Sequence, residues 1–270
     1  MISVRFGAIN NRNYLIRPLK NSAKNRLNNN ETVDEFHRGR VRVIQSKTGY
    51  RFALDAPLLA DFMEIEAGDD ILEMGTGNGI IPLLLADAPF RNLTALEIQT
   101  GLAALARRNV ALNGLAGRVE ILRADFRDYG PGRRFDVVFS NPPYIKVRTG
   151  FLSASGEKSI AKHELTCDIL EVMRAASRLL KADGRAYFIY PAARADELRA
   201  AAFAHGLGIR LSRLVRPRPG DPPAFVLAEL GFGPGRERTR RPLTLKTAAG
   251  ADTPEARRIY EGRPRVTAHR

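Results

Sequence analysis

The chain has one cysteine, four histidines, no tryptophan and no long apolar run, and each shortage removes a class of explanation. A single Cys167 excludes an intramolecular disulfide and a cysteine-rich metal site, so a reducing, cytoplasmic setting is the expectation and a packed thiol its ordinary role. His37, His163, His205 and His269 show no metal-ligand spacing, and no Ser, His and Asp set gathers around a nucleophile elbow. No metal is expected. Nothing approaches the roughly 20 apolar residues needed to span a bilayer, and the start of the chain lacks the apolar segment of a secretory signal, so no membrane partner is expected. Nothing in the text demands an oligomer, and a monomer is the working expectation.

Acidic residues are missing from the first 30 positions altogether. Across residues 1–48 there are 10 Lys and Arg against 3 Asp and Glu, and across 231–270 there are 10 against 4, whereas the stretch between holds 23 against 22. The net charge of +14 therefore belongs to the two flanks. Basic flanks suit a polyanion, through phosphate contacts and steered encounter; a solvated surface that aids solubility would carry the same charge.

What is present in abundance is alternation of strand and helix text. Residues 1–30 carry no sustained periodicity and are read as a disordered or non-family leader, 31–235 as one α/β domain, and 236–270 as a basic C-terminal extension in which RRIYEGRPR forms a loose tail. VRVIQ is a short strand, and DAPLLADFM a helix with Asp55 placed to cap it. DDILEM, NLTALEI, VEILRAD and FDVVFS are strands separated by a glycine-rich turn and helices. HELTCDILEVMRAASRLLK is a long helix, ended by Asp183 and Gly184 before the strand GRAYFIYP, and a strand pair closes around PRPGDPP. Strands interleaved with helices argue for a mostly parallel sheet covered on both faces, with a C-terminal antiparallel strand.

In ILEMGTGNG, Gly75, Gly77 and Gly79 follow the first strong strand and precede a helix. Glycine lets the turn tighten and lets a ligand approach the backbone. Ile80 stands where a dinucleotide fingerprint would need its third glycine, and Glu73 ends the strand with an anion. That favours a ligand carrying positive charge over one carrying two phosphates, and S-adenosylmethionine has both a sulfonium and an ammonium. Glu97 and Asp125 end the next two strands, placed for ribose hydroxyls and for an adenine edge, with Phe126 beside them to cover the ring. Either acid alone would also serve as an exposed cap.

The fourth strand stops at NPPY, where Pro142 and Pro143 stiffen the backbone around Asn141. The Asn141 side-chain oxygen and the Pro142 carbonyl can accept the two hydrogens of a planar NH₂ group. Such a nitrogen is a poor nucleophile because its lone pair is delocalised, and two acceptors that favour its pyramidal form stabilise the transition state over the ground state. Tyr144 offers a ring on which a base can stack, worth about 1–3 kcal/mol. A rigid strand-ending turn with Tyr144 packed beneath a loop is the plain structural reading. His163 is expected to be structural.

EMGTGNG, LEI, RADF and NPPY, in that order, resemble the class I S-adenosylmethionine-dependent methyltransferases that modify exocyclic amines or amides, with a Rossmann-like seven-stranded fold. GRVRVIQSKTGYRFALDAPLLADF, EKSIAKHE and TPEARRIYEG sharpen the likeness to the tRNA1(Val) (adenine(37)-N6)-methyltransferase family. The resemblance implies that Glu73, Gly75, Gly77 and Gly79 surround the methionine part of S-adenosylmethionine, Glu97 its ribose, and Asp125 with Phe126 its adenine. It implies that Tyr50, Arg51 and Phe52, after Gly49, close over the donor. Asn141, Pro142, Pro143 and Tyr144 are implied to hold the target adenine, with Asn141 also beside the donor. Lys146, Arg148, Lys158 and Lys162 are implied to contact tRNA, although a solvated loop explains those lysines too. The leader before Glu31, and Phe151 with Leu152, depart from the family pattern. Release-factor glutamine methyltransferases share the core motifs; they usually carry a helical domain in front, and the text before Lys47 is not helix-patterned. Methylation of an exocyclic amine in rRNA or DNA fits the same motifs, and a non-catalytic nucleic-acid-binding module would use the Rossmann-like core only as a scaffold.

Overall fold

The computed structural model describes residues 27–47, 54–142 and 168–262. A hairpin of β1 (Glu31–Phe36) and β2 (Val41–Ser46) comes first, then α1 (Asp55–Phe62), β3 (Asp70–Met74), α2 (Ile80–Leu84), β4 (Asn92–Glu97), α3 (Thr100–Leu112), β5 (Val119–Arg123) and β6 (Phe135–Ser140). Beyond the corner lie α4 (Ile169–Leu179), β7 (Leu180–Pro191), α5 (Ala195–Ala204), β8 (Leu207–Arg216), β9 (Phe225–Phe232), β10 (Arg238–Thr244) and α6 (Pro254–Glu261). Gly49, Tyr50, Arg51, Phe52, Pro143, Tyr144, Lys146, Arg148, Lys158, Lys162, His163 and Cys167 fall outside the described residues, as does the leader through residue 26.

DILEM is buried at every position because β3 is the axis of the main sheet, whose strand order is β10-β8-β9-β7-β6-β3-β4-β5. A strand covered on both faces needs no polar alternation, so its text reads as a continuous apolar run broken only by its acids. β4 and β6 flank β3 in parallel, and β5 and β7 extend the two sides in parallel. The direction of winding reverses around β3, which opens a crevice beyond its carboxyl end. β9 runs antiparallel between β7 and β8, so the antiparallel strand lies inside the sheet instead of at its edge. β10 then pairs parallel with β8 as an eighth strand.

Helices cover both faces. Side chains of α1, α2, α3 and α6 share one buried cluster that includes Ile71, Val137 and Tyr187, while those of α4 and α5 share another with Leu72, Val138 and Phe188. The alternation of consecutive β3, β6 and β7 residues between the two clusters is the two-residue period of a strand. Tyr260 on α6 is 2% exposed, so the first part of RRIYEGRPR is a packed helix and not a loose tail. Thr253 caps that helix by accepting from Ala256 N at 3.2 Å.

Two boundaries differ from the sequence reading. Within HELTCDILEVMRAASRLLK the described helix starts at Ile169, where Asp168 accepts from Leu170 N and Glu171 reaches back to Asp168 N, both at 3.3 Å. This reciprocal cap fixes the helix start. At the other end β7 begins at Leu180, ahead of Gly184, with a register shift between its pairs to Phe135 and Val137. A Cβ on Gly184 would come 2.7 Å from Leu180 Cδ1 and 3.0 Å from Asp136 O. Glycine stands there because the irregular strand folds onto itself.

Candidate active site

The glycine turn is built on the end of β4. Gly75 N and Thr76 N both donate to Leu96 O, at 3.0 and 2.9 Å, which swings the chain across the neighbouring strand. Gly77 N donates to Glu97 Oε2 and Gln99 N to Glu97 Oε1, each at 2.8 Å. Gly75, Gly77 and Gly79 have φ of +78°, +62° and +83°, a region other residues seldom occupy. At Gly79 there is a second constraint, since a Cβ would stand 3.2 Å from that of Ala106 on α3.

Glu73 and Glu97 end adjacent parallel strands and are 1% and 5% exposed. Burial pushes the Glu73 carboxyl up to about 8, with the charge of Glu97 adding to the rise and the Thr76 hydroxyl opposing it. Burial likewise raises Glu97, against the hydrogen bonds it accepts from Gln99 and Gly77. Among the described residues Glu73 Oε2 has no hydrogen-bond partner. A buried carboxyl in that condition is kept neutral by its surroundings, and the approach of a cation would favour its ionised form.

The corner lies at the same level. Phe139 on β6 is in register with Glu73 on β3, so Asn141 and Gly75 leave adjacent strands side by side. Ser140 Oγ donates to Met74 O at 2.7 Å and ties the two strand ends together. Asn141 is half-buried and Pro142 is buried, and the Asn141 amide opposes the rise that burial imposes on the carboxyl of Asp55 at the start of α1. Of the residues implied to act at this corner, Asn141 and Pro142 are described.

Asp125, expected to read an adenine edge, is held by its neighbour. Arg127 Nε donates to Asp125 Oδ1 and Oδ2 at 3.0 and 2.9 Å, Arg127 Nη2 to Oδ2 at 2.6 Å, and Arg127 Nη1 to Glu171 at 3.4 Å. Burial pushes the Asp125 carboxyl up, but the Arg127 bonds outweigh it and hold the acid below its usual range. Phe126 is half-buried beside it, its carbonyl accepting from Arg178 Nη2 at 3.0 Å.

Asn109 on α3 escaped the sequence reading. It is 0% exposed, accepts from Ile44 N at 2.7 Å, and donates to Ile44 O at 3.1 Å and Asn78 O at 2.9 Å. One amide thus fastens β2 and the glycine turn to α3. Asn113, one turn later, bonds Arg42 N and O at 2.9 and 2.7 Å. Asparagine is a poor interior helix residue, and Asn109 within TGLAALARRNVAL was the available signal.

The flank charge is partly consumed within the protein. Arg38 pairs with Glu261 and Lys246 with Asp252 at 2.6 Å, Arg258 with Asp61 at 2.9 Å, Arg40 with Asp87 at 3.3 Å, and Arg240 with Glu64. Basic text at the chain ends is therefore weaker support for a polyanion than its net charge implies. Among the described residues no cluster of His, Cys, Asp and Glu could hold a metal ion, and no helix is long and apolar enough to cross a membrane.

The sequence model of the methyltransferase small domain family matches residues 51–192, a span containing the glycine turn, Glu97, Asp125 and the corner. A tRNA1(Val) (adenine(37)-N6)-methyltransferase of Bacteroides thetaiotaomicron is 30% identical over 192 residues, which is 70% of this chain and 80% of the relative. One of Trichodesmium erythraeum is 26% identical over 202 residues, 73% of this chain and 84% of the relative. The crystal structure of a predicted O-methyltransferase from Agrobacterium tumefaciens has the same fold, with a TM-score of 0.60 at 24% identity over 77% of this chain and 96% of that one. With the glycine turn and the acid-ended strands of its sheet, the chain belongs to the class I S-adenosylmethionine-dependent methyltransferases, in the methyltransferase small domain family and the family of the tRNA1(Val) (adenine(37)-N6)-methyltransferases.

Proposed function

We propose that the protein methylates the N6 amine of adenine in tRNA, at adenine 37 of valine tRNA. The observation that carries this reading is the adjacency of two unlike groups at the ends of β3 and β6: a buried Glu73 oxygen that has no hydrogen-bond partner among the described residues and, one strand away, Asn141. The first suits the donor, the second a planar amine. The relatives' names supply the base and the RNA.

The residues fit S-adenosylmethionine. Glu73 answers its ammonium, the turn of Gly75, Gly77 and Gly79 leaves room along the methionine part, Glu97 faces the ribose, and Asp125 with Phe126 faces the adenine. Glu97 already accepts from Gly77 N and Gln99 N, so its hold on a ribose would be coupled to the shape of the turn. Tyr50, Arg51 and Phe52 are assigned to closing over the donor, and Lys146, Arg148, Lys158 and Lys162 to the RNA. When bound, S-adenosylmethionine supplies an electrophilic methyl on a sulfonium sulfur, which leaves as a thioether sulfur taking the electron pair of the broken C–S bond.

Asn141 and the Pro142 carbonyl accept the two amine hydrogens and aim the nitrogen lone pair at the methyl carbon. Tyr144 stacks on the base, which must be extruded from its neighbours to enter. As the N–C bond forms, the nitrogen becomes a strong acid and gives one proton to solvent, so no side-chain base is required. Glutamine's amide presents the same planar NH₂, and the corner does not discriminate against it; the relatives do.

The test is methyl transfer from labelled donor to bulk tRNA, rRNA, DNA and a release factor, followed by nucleoside analysis. Label in N6-methyladenosine of tRNA is expected. Label confined to protein would overturn the reading.

A further inference from the structure

We infer that the carboxyl ends of β8 and β10, with the first turn of α6, form a ledge that docks the sugar-phosphate backbone of the RNA through Arg216, Arg218, Arg241 and Arg257. This rests on the reading that the substrate is a tRNA whose base enters at Asn141.

Sheet topology leaves one side of the corner for the RNA. Glu73, Glu97 and Asp125 assign the donor to the ends of β3, β4 and β5, so a base reaching Asn141 comes over the other half of the sheet, where the order is β6-β7-β9-β8-β10. β8 and β10 run parallel to one another and, across the antiparallel β9, in the direction of β7 and β6. Their carboxyl ends therefore share the edge on which the corner stands. Register carries the level across: Ser140 pairs with Phe188, Pro191 and Val215 both pair with Phe225, and Leu243 pairs with Val215. At about 4.8 Å per strand, the ends of β8 and β10 lie about 14 and 19 Å to the side of β6, a span that a stem flanking the extruded base would cover.

Basic charge that the protein does not consume internally collects at those ends. Arg213 pairs with Glu255 and Lys246 with Asp252, at 2.8 and 2.6 Å. Among the described residues Arg216, Arg218, Arg241 and Arg257 have neither an ion pair nor a side-chain hydrogen bond; Arg218, Arg241 and Arg257 are exposed and Arg216 is half-buried. Asp221, half-buried in the loop after β8, offsets one of these charges. Backbone bonds hold the pieces together. Leu245 N and Lys246 N donate to Arg216 O and Pro217 O, and Thr253 N to Leu245 O, all at 2.9 Å, which sets the first turn of α6, with Arg257, against the end of β10.

Two details suit a polyanion. Arg218 stands between Pro217 and Pro219 in a loop closed by Ala224 N donating to Val215 O at 2.8 Å and Asp221 N to Arg218 O at 3.2 Å, so it is presented with little further loss of chain entropy. Arg216 Nε is buried without a hydrogen-bond partner, and a guanidinium partly out of water and unheld by a carboxylate gains more from an anion than a fully solvated one does. Charge, Pro242 and the register shift between Arg240 and Leu243 would also keep an edge strand from pairing with another chain. That explanation covers Arg241; it does not reach Arg218 or Arg257, which lie off the edge strand.

The experiment titrates the full chain with fluorescently labelled valine tRNA over a range of salt. It compares the triple variant Arg218→Gln, Arg241→Gln, Arg257→Gln with the triple Arg134→Gln, Arg236→Gln, Arg238→Gln, which removes equal charge from exposed arginines at the amino ends of β6 and β10. The first triple is expected to weaken tRNA binding by about 10- to 100-fold at about 0.1 M salt and to lower the slope of log affinity against log salt by about 2 to 3, one counterion-releasing contact for each arginine. Its melting temperature, affinity for S-adenosylhomocysteine and single-turnover rate at saturating tRNA should stay close to wild type. Lysine at the same three positions should restore most of the slope, since an ammonium keeps the charge. The second triple should change affinity by less than about 3-fold. Equal losses in the two triples, or an unchanged slope in the first while tRNA is still methylated, would overturn the ledge alone. Normal tRNA binding by the first triple with slowed methylation of a release factor would make the partner of the ledge a protein and overturn it too. Wild-type protein that neither binds nor methylates tRNA would instead overturn the substrate reading beneath it.

Discussion

The two halves of the site are made in different ways. On the proposed donor side, the groups are the ends of β3 and β4 and a turn whose backbone is hydrogen-bonded to β4. Sheet register alone puts Glu73 beside Ala95, and Glu97 two residues on. On the proposed acceptor side the corner depends on one side chain, Asn141, just beyond the end of β6. The donor half is therefore a property of the fold, which many sequences could share, and the acceptor half is a property of a few residues. Binding and chemistry should accordingly be separable by mutation.

Asn141→Ala tests that separation most severely. Loss of the acceptor is expected to slow methyl transfer by about 10³-fold, the upper range for a single preorganised transition-state contact. Affinity for S-adenosylhomocysteine should remain within about 2-fold by titration calorimetry. A comparable fall in both would mean that the halves are not distinct.

Glu97→Ala is the converse. Removing the carboxylate frees Gly77 N and Gln99 N and takes away the proposed ribose acceptor, so donor affinity should weaken by about 100-fold, two charge-assisted bonds' worth. At saturating donor the rate should stay within a few-fold of wild type. A large loss that saturation does not restore would place Glu97 in the chemistry.

The strands that frame the proposed donor half could be read from sequence, because they follow from strand text and what ends each strand: DILEM, NLTALE and FDVVFS were recognisable, and the positions of Glu73, Glu97 and the glycines came with them. Other features leave no local trace. The influence of Asn141 on the Asp55 carboxyl joins residues far apart in sequence, and β10 is hidden in RTRRPLT, whose arginines mask a strand buried only at Leu243. The Arg127 clamp on Asp125 joins residues two apart, a spacing that no helix or strand pattern flags. One miss was avoidable: Asp168 and Glu171 are three apart ahead of an apolar run, the signature of the cap that starts α4.

Asn109 tests how the donor turn is supported. Asn109→Ala would strand Ile44 N, Ile44 O and Asn78 O in a buried setting, at a cost of about 2–4 kcal/mol in chemical denaturation. Residual folded enzyme should bind S-adenosylhomocysteine more weakly, since the turn loses its tie to α3, yet turn over at a near-normal rate once saturated. A reduced rate with unchanged affinity would show that α3 serves the acceptor half instead.

Glu73 gives the smallest effect per unit of measurement, and it works through protons. Its folded pKa, about 8, lies above the ordinary 4.5. Between those values the unfolded chain has lost the proton that the folded chain keeps, so this group makes unliganded stability fall as pH rises, by about 1.4 kcal/mol per unit, until the slope fades above pH 8. Other groups titrate as well: His37, whose pKa burial lowers, contributes the opposite slope near its ordinary 6.5. The difference between wild type and Glu73→Gln isolates the one carboxyl, and Glu73→Gln should become the more stable protein as pH rises from 6 to 8. Donor binding should reverse the relation. An ammonium at Glu73 Oε2 favours the ionised form, so binding near pH 7 should release close to one proton in wild type, measured in buffers of different ionisation enthalpy, and that release should vanish in Glu73→Gln. Equal proton release by both proteins would move the cation receptor away from Glu73 and leave the donor half defined by the turn and Glu97.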